Sequence, residues 1–371
     1  MIDPVHCPII QNGLTLDFKT YSNRLNAGHC CLRTVFETDI STNVWEDKQF
    51  IPLREINDSG KWASGCENCQ GLENLGSPSL RTSLLEKYGV EPTLTGPRKI
   101  DLLFDINCNL ACRSCTPTAS TFWQKHLKDN NLWDGPLDYN ERSKDVIKVL
   151  SNLDLTHLRE VTFAGGETLL GKGYWDIAEF IALSVPDSEK NVIINFQSNG
   201  TQTILERHYS TIKKFKLIKI SFSIDSLREK FEYLRWPAKW EHVQTNMHNL
   251  RDTLPSNVMF NIEETISIFN LYHLKESSSW HKNTFPTNRE GDVTNYASHL
   301  AGGVFSINAI TNEYADSMQN SEYKHLIPNN FQENPAKVQK AIAEIKKFDS
   351  LRNQQFEDYF PEVAKFYDRY L

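Results

Sequence analysis

The amino-acid sequence predicts an α/β protein with a parallel sheet at its centre. Two observations support this fold class. Short runs of β-branched and aromatic residues recur along the chain, and the segments between the first five runs have the apolar spacing of helices. Strands that alternate with helices form βαβ units, and these build parallel sheets that bind ligands at the carboxyl ends of their strands.

Five predicted strands and one further apolar run define this central region. The strands are KIDLLFDIN (99–107), LREVTFAG (158–165), NVIINFQS (191–198), KLIKISFSID (216–225) and NVMFNIEETISI (257–268), and the further run is GVFSINAI (303–310). Two segments between strands have apolar residues three and four apart and are predicted as helices, YWDIAEFIALSV (174–185) and WEHVQTNMHNL (240–250).

The pattern changes at both ends of the sheet region. Residues 1–95 are irregular and rich in turn signals, and they contain five of the eight cysteines. The stretch TLTGPRK marks the junction to the sheet domain, residues 96–275. Residues 276–371 end in helical segments, so we expect a mostly helical extension packed on the sheet.

Composition narrows the class of protein. The chain has 371 residues, of which 39% are hydrophobic and 23% are charged, as in ordinary globular proteins. We expect a cytoplasmic protein, because no run approaches the ~18 apolar residues of a membrane span and the N-terminus does not resemble a signal peptide. In a reducing compartment clustered thiols bind metals or catalyse reactions more often than they form disulfides. The net charge of −7 makes a nucleic-acid partner unlikely.

Three of the cysteines are concentrated directly after the first predicted strand. Cys108, Cys112 and Cys115 form a C-x3-C-x2-C pattern within CNLACRSC. Three thiolates and a remote fourth ligand would make a structural zinc site, and three thiolates alone would leave one iron of an iron–sulfur cluster open. The position at the carboxyl end of a strand favours the cluster.

This spacing after the first strand resembles the signature of the radical S-adenosylmethionine (SAM) enzymes. The resemblance implies a partial (β/α)6 TIM-like barrel and a [4Fe–4S] cluster on the three cysteines, with SAM bound to its open iron. It also implies reductive cleavage of SAM to methionine and a 5′-deoxyadenosyl radical that abstracts hydrogen from a substrate. The electron would come from a donor such as flavodoxin or ferredoxin.

Later strand ends match the same family in the expected order. FAGGETLL resembles the GGE element that binds the amino group of SAM, QSNGT resembles a TNGT element near ribose or methionine, and SFSIDS resembles an S-x-D element. FEYLRWPAKW resembles a segment whose arginine we assign to the SAM carboxylate, since a guanidinium binds a carboxylate in bidentate fashion. The implied SAM-binding residues are Gly165, Gly166, Glu167, Ser198, Asn199, Ser223, Asp225 and Arg235.

Two positions depart from the family pattern. Thr168 stands where proline is frequent, and Ser114 stands where an aromatic residue often packs near adenine. The pattern also puts Asp225, Glu264 and Tyr233 near the mouth of the barrel, without ranking them as acid or base.

The N-terminal cysteines predict a second site. CENC contributes Cys66 and Cys69, and Cys7 with either Cys30 or Cys31 would complete a four-cysteine set. The element resembles the SPASM and Twitch auxiliary domains of radical SAM enzymes, here placed before the barrel instead of after it. The resemblance implies a second [4Fe–4S] cluster, with zinc as the alternative. The element also includes Glu73, Ser79 and Arg81.

The predicted function is therefore that of a radical SAM enzyme with a peptide or protein substrate. The alternative substrate is a small molecule such as a sugar or nucleoside. A remote alternative is a non-enzymatic zinc-binding interaction module, which would explain CENC but not the ordered strand-end motifs.

Overall fold

The computed structural model describes residues 5–18, 24–31, 36–74, 79–135, 142–284, 296–301 and 303–371. Within them nine strands form one sheet in the order β3-β2-β1-β4-β5-β6-β7-β8-β9. The strands are β1 Gly13–Asp17, β2 Arg24–Gly28, β3 Phe36–Asp39, β4 Lys99–Leu103, β5 Glu160–Ala164, β6 Ile193–Ser198, β7 Leu217–Ser223, β8 Val258–Ile266 and β9 Tyr296–Leu300.

Strands β4 to β9 are parallel neighbours in chain order, as expected for a partial barrel. β1 also runs parallel to β4, whereas β2 and β3 extend the sheet in antiparallel fashion. One row of the register joins Ile100, Val161, Ile194, Ile218 and Val258, all fully buried. This row of mainly β-branched side chains explains why the five central runs were recognisable as strands.

Helices connect successive strands of the parallel part. In the described residues the helices are α1 Pro8–Asn12, α2 Ile51–Asp58, α3 Glu67–Asn74, α4 Leu80–Tyr88, α5 Thr121–Asp129, α6 Ser143–Leu150, α7 Lys172–Ser184, α8 Ser188–Asn191, α9 Tyr209–Ile212, α10 Arg228–Leu234, α11 Trp240–Thr253, α12 Leu274–Thr284, α13 Asn312–Ser317, α14 Pro335–Arg352, α15 Phe356–Tyr359 and α16 Pro361–Ala364. The predicted helices at 174–185 and 240–250 are confirmed as α7 and α11.

The two faces of the sheet differ in polarity. One face buries aromatic and aliphatic side chains such as Phe163 and Phe196 under the connecting helices. The other face carries a hydrogen-bonded polar row, in which Ser221 donates to Asn195 over 3.0 Å and Asn261 donates to Ser221 over 3.4 Å. A polar face of this kind can bind a polar ligand without leaving buried donors and acceptors unpaired.

The N-terminal region contributes to the same sheet through β1–β3. It also has a small apolar cluster of its own, formed by Cys7, Ile9, Ile10, Ala63 and Leu84. The sheet is thus continuous across residue 95 and, through β9, across residue 275. The division into 1–95, 96–275 and 276–371 stays a prediction.

The C-terminal helices form a second apolar core against the sheet region. α14 buries Val338, Ile342 and Ile345 and places Phe348 beside Trp123 of α5, with ring centroids 5.0 Å apart. The extension therefore packs directly behind the loop that carries the three barrel cysteines.

The further apolar run at 303–310 has a different conformation from the five predicted strands. The apolar run at 303–310 is not a strand but two 3-10 turns, Gly303–Phe305 and Ile307–Ala309. Its apolar side chains are buried in the C-terminal core, and Ser306 caps the second turn by accepting the Asn308 N–H. The sixth parallel strand is β9, just before it. In the part of the chain that is described, no helix is long and apolar enough to cross a membrane.

Candidate functional site

The three cysteines of the C-x3-C-x2-C motif lie in one loop at the carboxyl end of β4. Cys112 is buried, and Cys108 and Cys115 are half-buried. Burial raises the pKa of Cys108 to about 11 and raises that of Cys112 as well, although the charge of Arg235 opposes the shift of Cys112. A thiolate is the form that binds metal, so a metal centre at this loop would displace the thiol protons.

The loop is held in place from two sides. On one side the Ala111 N–H donates to the carbonyl of Trp236, 2.8 Å away, just after α10. On the other side the indole N–H of Trp123, in α5, donates to the carbonyl of Cys112 over 2.9 Å. Both contacts use main-chain carbonyls, so the loop conformation does not depend on the thiols being occupied.

The glycines of the GGE element allow β5 to approach the cysteine loop closely. Gly165 has φ +133, which side-chain-bearing residues rarely adopt, and a Cβ on Gly166 would lie 2.2 Å from the carbonyl oxygen of Asn107. The Gly166 N–H donates to Asp105, and the Glu167 N–H donates to Asn107 over 2.7 Å. The turn is therefore bonded to the chain directly before Cys108.

The carboxylate of Glu167 is fully buried and joins the ends of β5 and β6. It accepts the Ser198 hydroxyl over 2.8 Å, the Asn199 N–H over 2.6 Å and the Leu169 N–H over 3.0 Å. Burial raises the pKa of Glu167, while these hydrogen bonds lower it. The structure thus brings together three predicted residues, and it commits the Glu167 side chain to internal bonds.

Asn199 connects this network to the cysteine loop. Its amide group donates to Asn109 over 3.0 Å and approaches the sulfur of Cys108 at 3.8 Å, while its oxygen accepts the Thr201 hydroxyl over 2.6 Å. Asn109 and Thr201 were missed by the sequence reasoning. Asn109 lies within the cysteine motif and Thr201 directly follows SNG. Their positions inside and beside these motifs could have marked them as site residues.

Arg235 and Asp225 form a buried ion pair with 2.8 Å between nitrogen and oxygen. A second nitrogen of Arg235 lies 3.9 Å from the sulfur of Cys112, and among the described residues its Nε has no hydrogen-bond partner. Burial would lower the pKa of Arg235, but Asp225 and Cys112 raise it overall. Asp225 also accepts the Thr265 N–H over 2.9 Å. Both residues are among the predicted SAM-binding residues, and the structure pairs them with each other.

Ser223 lies at the end of β7 on the polar face, opposite Glu263 in the register. Glu263 accepts a hydrogen bond from Gln197 of β6 over 3.1 Å. These side chains extend the polar row of the sheet to its carboxyl end.

The acid and base candidates separate clearly. Tyr233 donates its hydroxyl to Asp349 over 2.9 Å, so it is tied to the C-terminal extension. Glu264 is buried and accepts from Asn270 over 3.2 Å, and burial followed by the charge of Asp225 raises its pKa well above the usual range. Asp225 is paired with Arg235. A buried carboxyl with a raised pKa stores a proton, which makes Glu264 the strongest acid candidate of the three.

The N-terminal cysteines line one mostly apolar cavity. Cys7, Cys30, Cys66 and Cys69 all contribute to its wall, while Cys31 does not. Burial raises the pKa of Cys7 to about 11, and the charges of Cys66 and Cys69 raise it as well. Cys30, and not Cys31, therefore shares this cavity with the other three cysteines.

Arg81 connects two of the three chain segments that supply these cysteines. It donates from Nε to Glu73 over 2.9 Å, pairs with the second oxygen of Glu73, and donates to the carbonyl of His6 over 2.8 Å. Ser79 donates to the same carboxylate over 2.5 Å. Glu73 is in α3 with Cys69, and His6 precedes Cys7, so the side chain of Arg81 fixes their separation.

Across the described ranges, no group of three or more His, Cys, Asp and Glu side chains is close enough together to hold a single metal ion.

The central region is similar to known proteins. The profile of the radical SAM superfamily matches residues 106–267. GTP 3′,8-cyclases of Clostridium botulinum strains are 28% identical to this chain over 149 residues, which is 39% of this chain and 39% of each relative. The alignment thus spans about two fifths of the length of these curated relatives.

Two solved structures also resemble the chain. Streptococcus suis SuiB bound to S-adenosylmethionine has 12% sequence identity and a TM-score of 0.38, covering 85% of this chain and 63% of that chain. SuiB bound to its precursor peptide SuiA has 12% identity and a TM-score of 0.39, covering 81% and 64%.

Proposed function

Since residues 106–267 match the profile of the radical SAM superfamily, we propose that this enzyme cleaves S-adenosylmethionine by one-electron reduction and uses the product to abstract hydrogen from a substrate. The observation that carries the proposal is that the family match includes the three-cysteine loop at the end of β4. The GGE turn of β5 is bonded to that same loop.

The residues at the loop fit a [4Fe–4S] cluster with one open iron. Cys108, Cys112 and Cys115 supply three sulfur donors, and soft thiolates are the ligands that such clusters use. The guanidinium of Arg235 beside Cys112 would offset negative charge there. When bound, the cluster and SAM would yield methionine and a 5′-deoxyadenosyl radical, which takes a hydrogen atom from the substrate and becomes 5′-deoxyadenosine.

The protein residues would orient and shield this chemistry. We assign SAM binding to the predicted residues at the strand ends. The closely packed backbone at Gly166 would form one wall of this binding site. Glu167 also holds Ser198 and Asn199 in place through its internal hydrogen bonds. Arg235 contributes through its buried Nε and through its pair with Asp225. The predicted SAM-binding residues are Gly165, Gly166, Glu167, Ser198, Asn199, Ser223, Asp225 and Arg235.

We further propose that Cys7, Cys30, Cys66 and Cys69 hold a second [4Fe–4S] cluster in a Twitch-like N-terminal domain. Their shared cavity supports the proposal, as does the Arg81 contact that connects α3 to the segment before Cys7. A zinc ion is the alternative occupant, and iron and sulfide analysis separates the two.

For the substrate we propose a peptide or protein. Among the described residues β3 pairs with β2 alone, which leaves an edge where an extended peptide could add as a further strand. A nucleoside or another small molecule is the second candidate, because the relatives of known name are GTP 3′,8-cyclases. Flavodoxin or ferredoxin would supply the electron.

The proposal is tested by anaerobic reconstitution with iron and sulfide, followed by SAM and dithionite. We expect 5′-deoxyadenosine to form, and we expect Cys112→Ala to reduce its yield at least 100-fold, in the range that loss of a key catalytic group causes. Cys31→Ala is the matched control and should leave the yield unchanged. Undiminished 5′-deoxyadenosine from Cys112→Ala, or a protein that binds zinc without iron or sulfide, would show that the proposal is wrong.

A further inference from the structure

Behind the three-cysteine loop lies a buried arginine that the SAM-binding assignment does not use. Arg352 is the last residue of α14, and only 8% of it is exposed. One of its nitrogens donates to the carbonyl of Ala111 over 2.7 Å. Ala111 directly precedes Cys112, so this C-terminal side chain reaches the cysteine motif from 241 residues further along the chain.

The surroundings of Arg352 are aromatic. Its guanidinium carbon lies 4.8 Å from the ring centre of Trp123, 5.0 Å from that of Trp236 and 5.2 Å from that of Phe348. Within the described parts of the chain it forms no ion pair, and its Nε and one terminal nitrogen are buried without a hydrogen-bond partner. A buried cation with unsatisfied donors is costly to keep unless a negative charge compensates it.

Asp349, a carboxylate of the same helix, is already used by a second arginine. Arg113, inside the cysteine motif, pairs with Asp349 at 2.5 Å and also donates to the carbonyl of Tyr233 over 3.1 Å. Asp349 accepts the Tyr233 hydroxyl and the Phe356 N–H besides. Asp349 thus has three hydrogen-bonded partners, and it acts on Arg352 through its charge without forming an ion pair with it.

Three buried arginines lie around Cys112, and two of them have a carboxylate as an ion-pair partner. Arg113, Arg235 and Arg352 bring three positive charges, and Asp225 and Asp349 bring two negative charges. Among the described residues, Arg352 is the one of the three that forms no ion pair. It interacts electrostatically with Cys112, and although burial lowers the pKa of Arg352 to about 9, the side chain stays protonated at neutral pH.

We infer that Arg352 is a positioning residue that compensates the negative charge of the iron–sulfur cluster at the three cysteines and makes that cluster easier to reduce. The inference rests on the proposed function. Uptake of one electron from a low-potential donor adds one negative charge to the cluster, and a fixed cation in a dry, aromatic setting stabilises that added charge. The net charge near a cluster and its exposure to solvent are among the factors that set its potential.

The test is a redox titration of the full-length reconstituted protein with dithionite and mediators. The cluster is monitored by electron paramagnetic resonance, through the signal that changes on addition of SAM. We expect R352Q to shift the midpoint potential to a more negative value, and R352K, which keeps the charge, to stay close to the parent. R369Q, which removes an exposed arginine of the same extension, is the control and should not shift it.

A second variant separates charge from structural support. D349N removes a negative charge from the same group and should shift the potential to a more positive value, a direction that loosening of the loop does not predict. An R352Q protein with intact iron content and an unshifted potential would overturn the inference. If R352Q does not retain its cluster, the midpoint potential of D349N tests the inference instead. An unshifted or more negative potential in D349N would overturn the inference. A parent protein without any SAM-responsive signal would instead contradict the proposed function itself.

Discussion

Gly166 shows how one residue can control the distance between two parts of the site. Its backbone lies against the chain segment that leads into Cys108, and a Cβ there would lie 2.2 Å from the Asn107 carbonyl oxygen. A contact this short cannot be relieved by side-chain rotation, because the neighbouring atom belongs to the main chain.

We therefore predict that Gly166→Ala lowers the free energy of unfolding by about 1–3 kcal/mol, the usual cost of overpacking. It should also lower the iron bound at Cys108, Cys112 and Cys115, because the loop must shift. Chemical denaturation and iron determination measure the two effects. Gly71→Ala is the matched control, since a Cβ there meets nothing within 4 Å, and it should stabilise α3 by up to about 1 kcal/mol. Equal denaturation midpoints for G166A and the parent would contradict this packing account.

The positions of single site residues were predictable where a local sequence pattern indicated them. Glu167, Ser198 and Asn199 follow strands, and parallel strand ends meet at one edge of a sheet, so their proximity was predictable. The pairing of Arg235 with Asp225 was not, because a guanidinium beside a strand end can bind a ligand or a carboxylate equally well. Which of them it binds depends on the distance across the fold, 2.8 Å here.

At the scale of elements, the short helix α3 depends on a neighbour for its placement. It carries Cys69 and Glu73, and Arg81 at the start of α4 connects that glutamate to the carbonyl of His6. The pKa of Glu73 is lowered, first by its hydrogen bond with Arg81. The contact thus sets the relative position of three elements around the N-terminal cavity.

We predict that Arg81→Gln removes metal from the N-terminal site, because the segments holding Cys7 and Cys69 lose their connection. The measurement uses a chain whose three barrel cysteines are replaced by alanine, so that the remaining iron belongs to the N-terminal site. The parent of this set should hold about four iron atoms per chain, as one [4Fe–4S] cluster requires, and R81Q should hold less than half of that.

Arg251→Gln, which removes an exposed Arg–Asp pair, is the control for this experiment and should keep its iron. Full iron occupancy in R81Q would show that the arginine does not position the cysteines.

Helices and strands with strong periodicity were predictable, and the further apolar run at 303–310 shows where an apolar pattern alone is insufficient. The run at 303–310 is as apolar as a strand, but its side chains fill the core of the C-terminal helices from two short turns. An apolar run predicts that its side chains are buried. Whether the backbone is extended or forms turns depends on the elements that pack against it.

At the scale of the whole molecule, the buried carboxyl of Glu264 couples global stability to pH. Its pKa is raised well above the usual range, first by burial and then by the charge of Asp225. The folded protein therefore keeps this proton at pH values where the unfolded chain has released it. Stability contributed by the protonated form is complete below about pH 4.3, the ordinary value for glutamate, and is lost as pH rises toward the folded pKa.

We predict that Glu264→Gln, which stays neutral, unfolds at a higher denaturant concentration than the parent at pH 8 and that the gap narrows toward pH 5. The expected difference in unfolding free energy grows by about 1.4 kcal/mol per pH unit across the interval between the two pKa values. Denaturant titrations followed by circular dichroism at several pH values measure it. A gap that is constant with pH would mean that the carboxyl is ionised in the folded protein.

The sequence by itself determined the local features of this protein. The order of strands β4 to β8, the helices between them, the three-cysteine loop and the strand-end motifs are all readable from short segments, because periodicity and spacing act over a few residues. They were sufficient to predict the α/β class and the similarity of the central region to radical SAM enzymes.

Only the tertiary structure decided which distant side chains meet. It joined Arg113 to Asp349, 236 residues away, placed Arg352 on the carbonyl before Cys112, and put Cys30 rather than Cys31 at the N-terminal cavity. No local pattern encodes such pairs, because they result from how the C-terminal helices and the N-terminal segment pack against one continuous sheet. The charge around the cysteine loop is therefore a property of the whole fold.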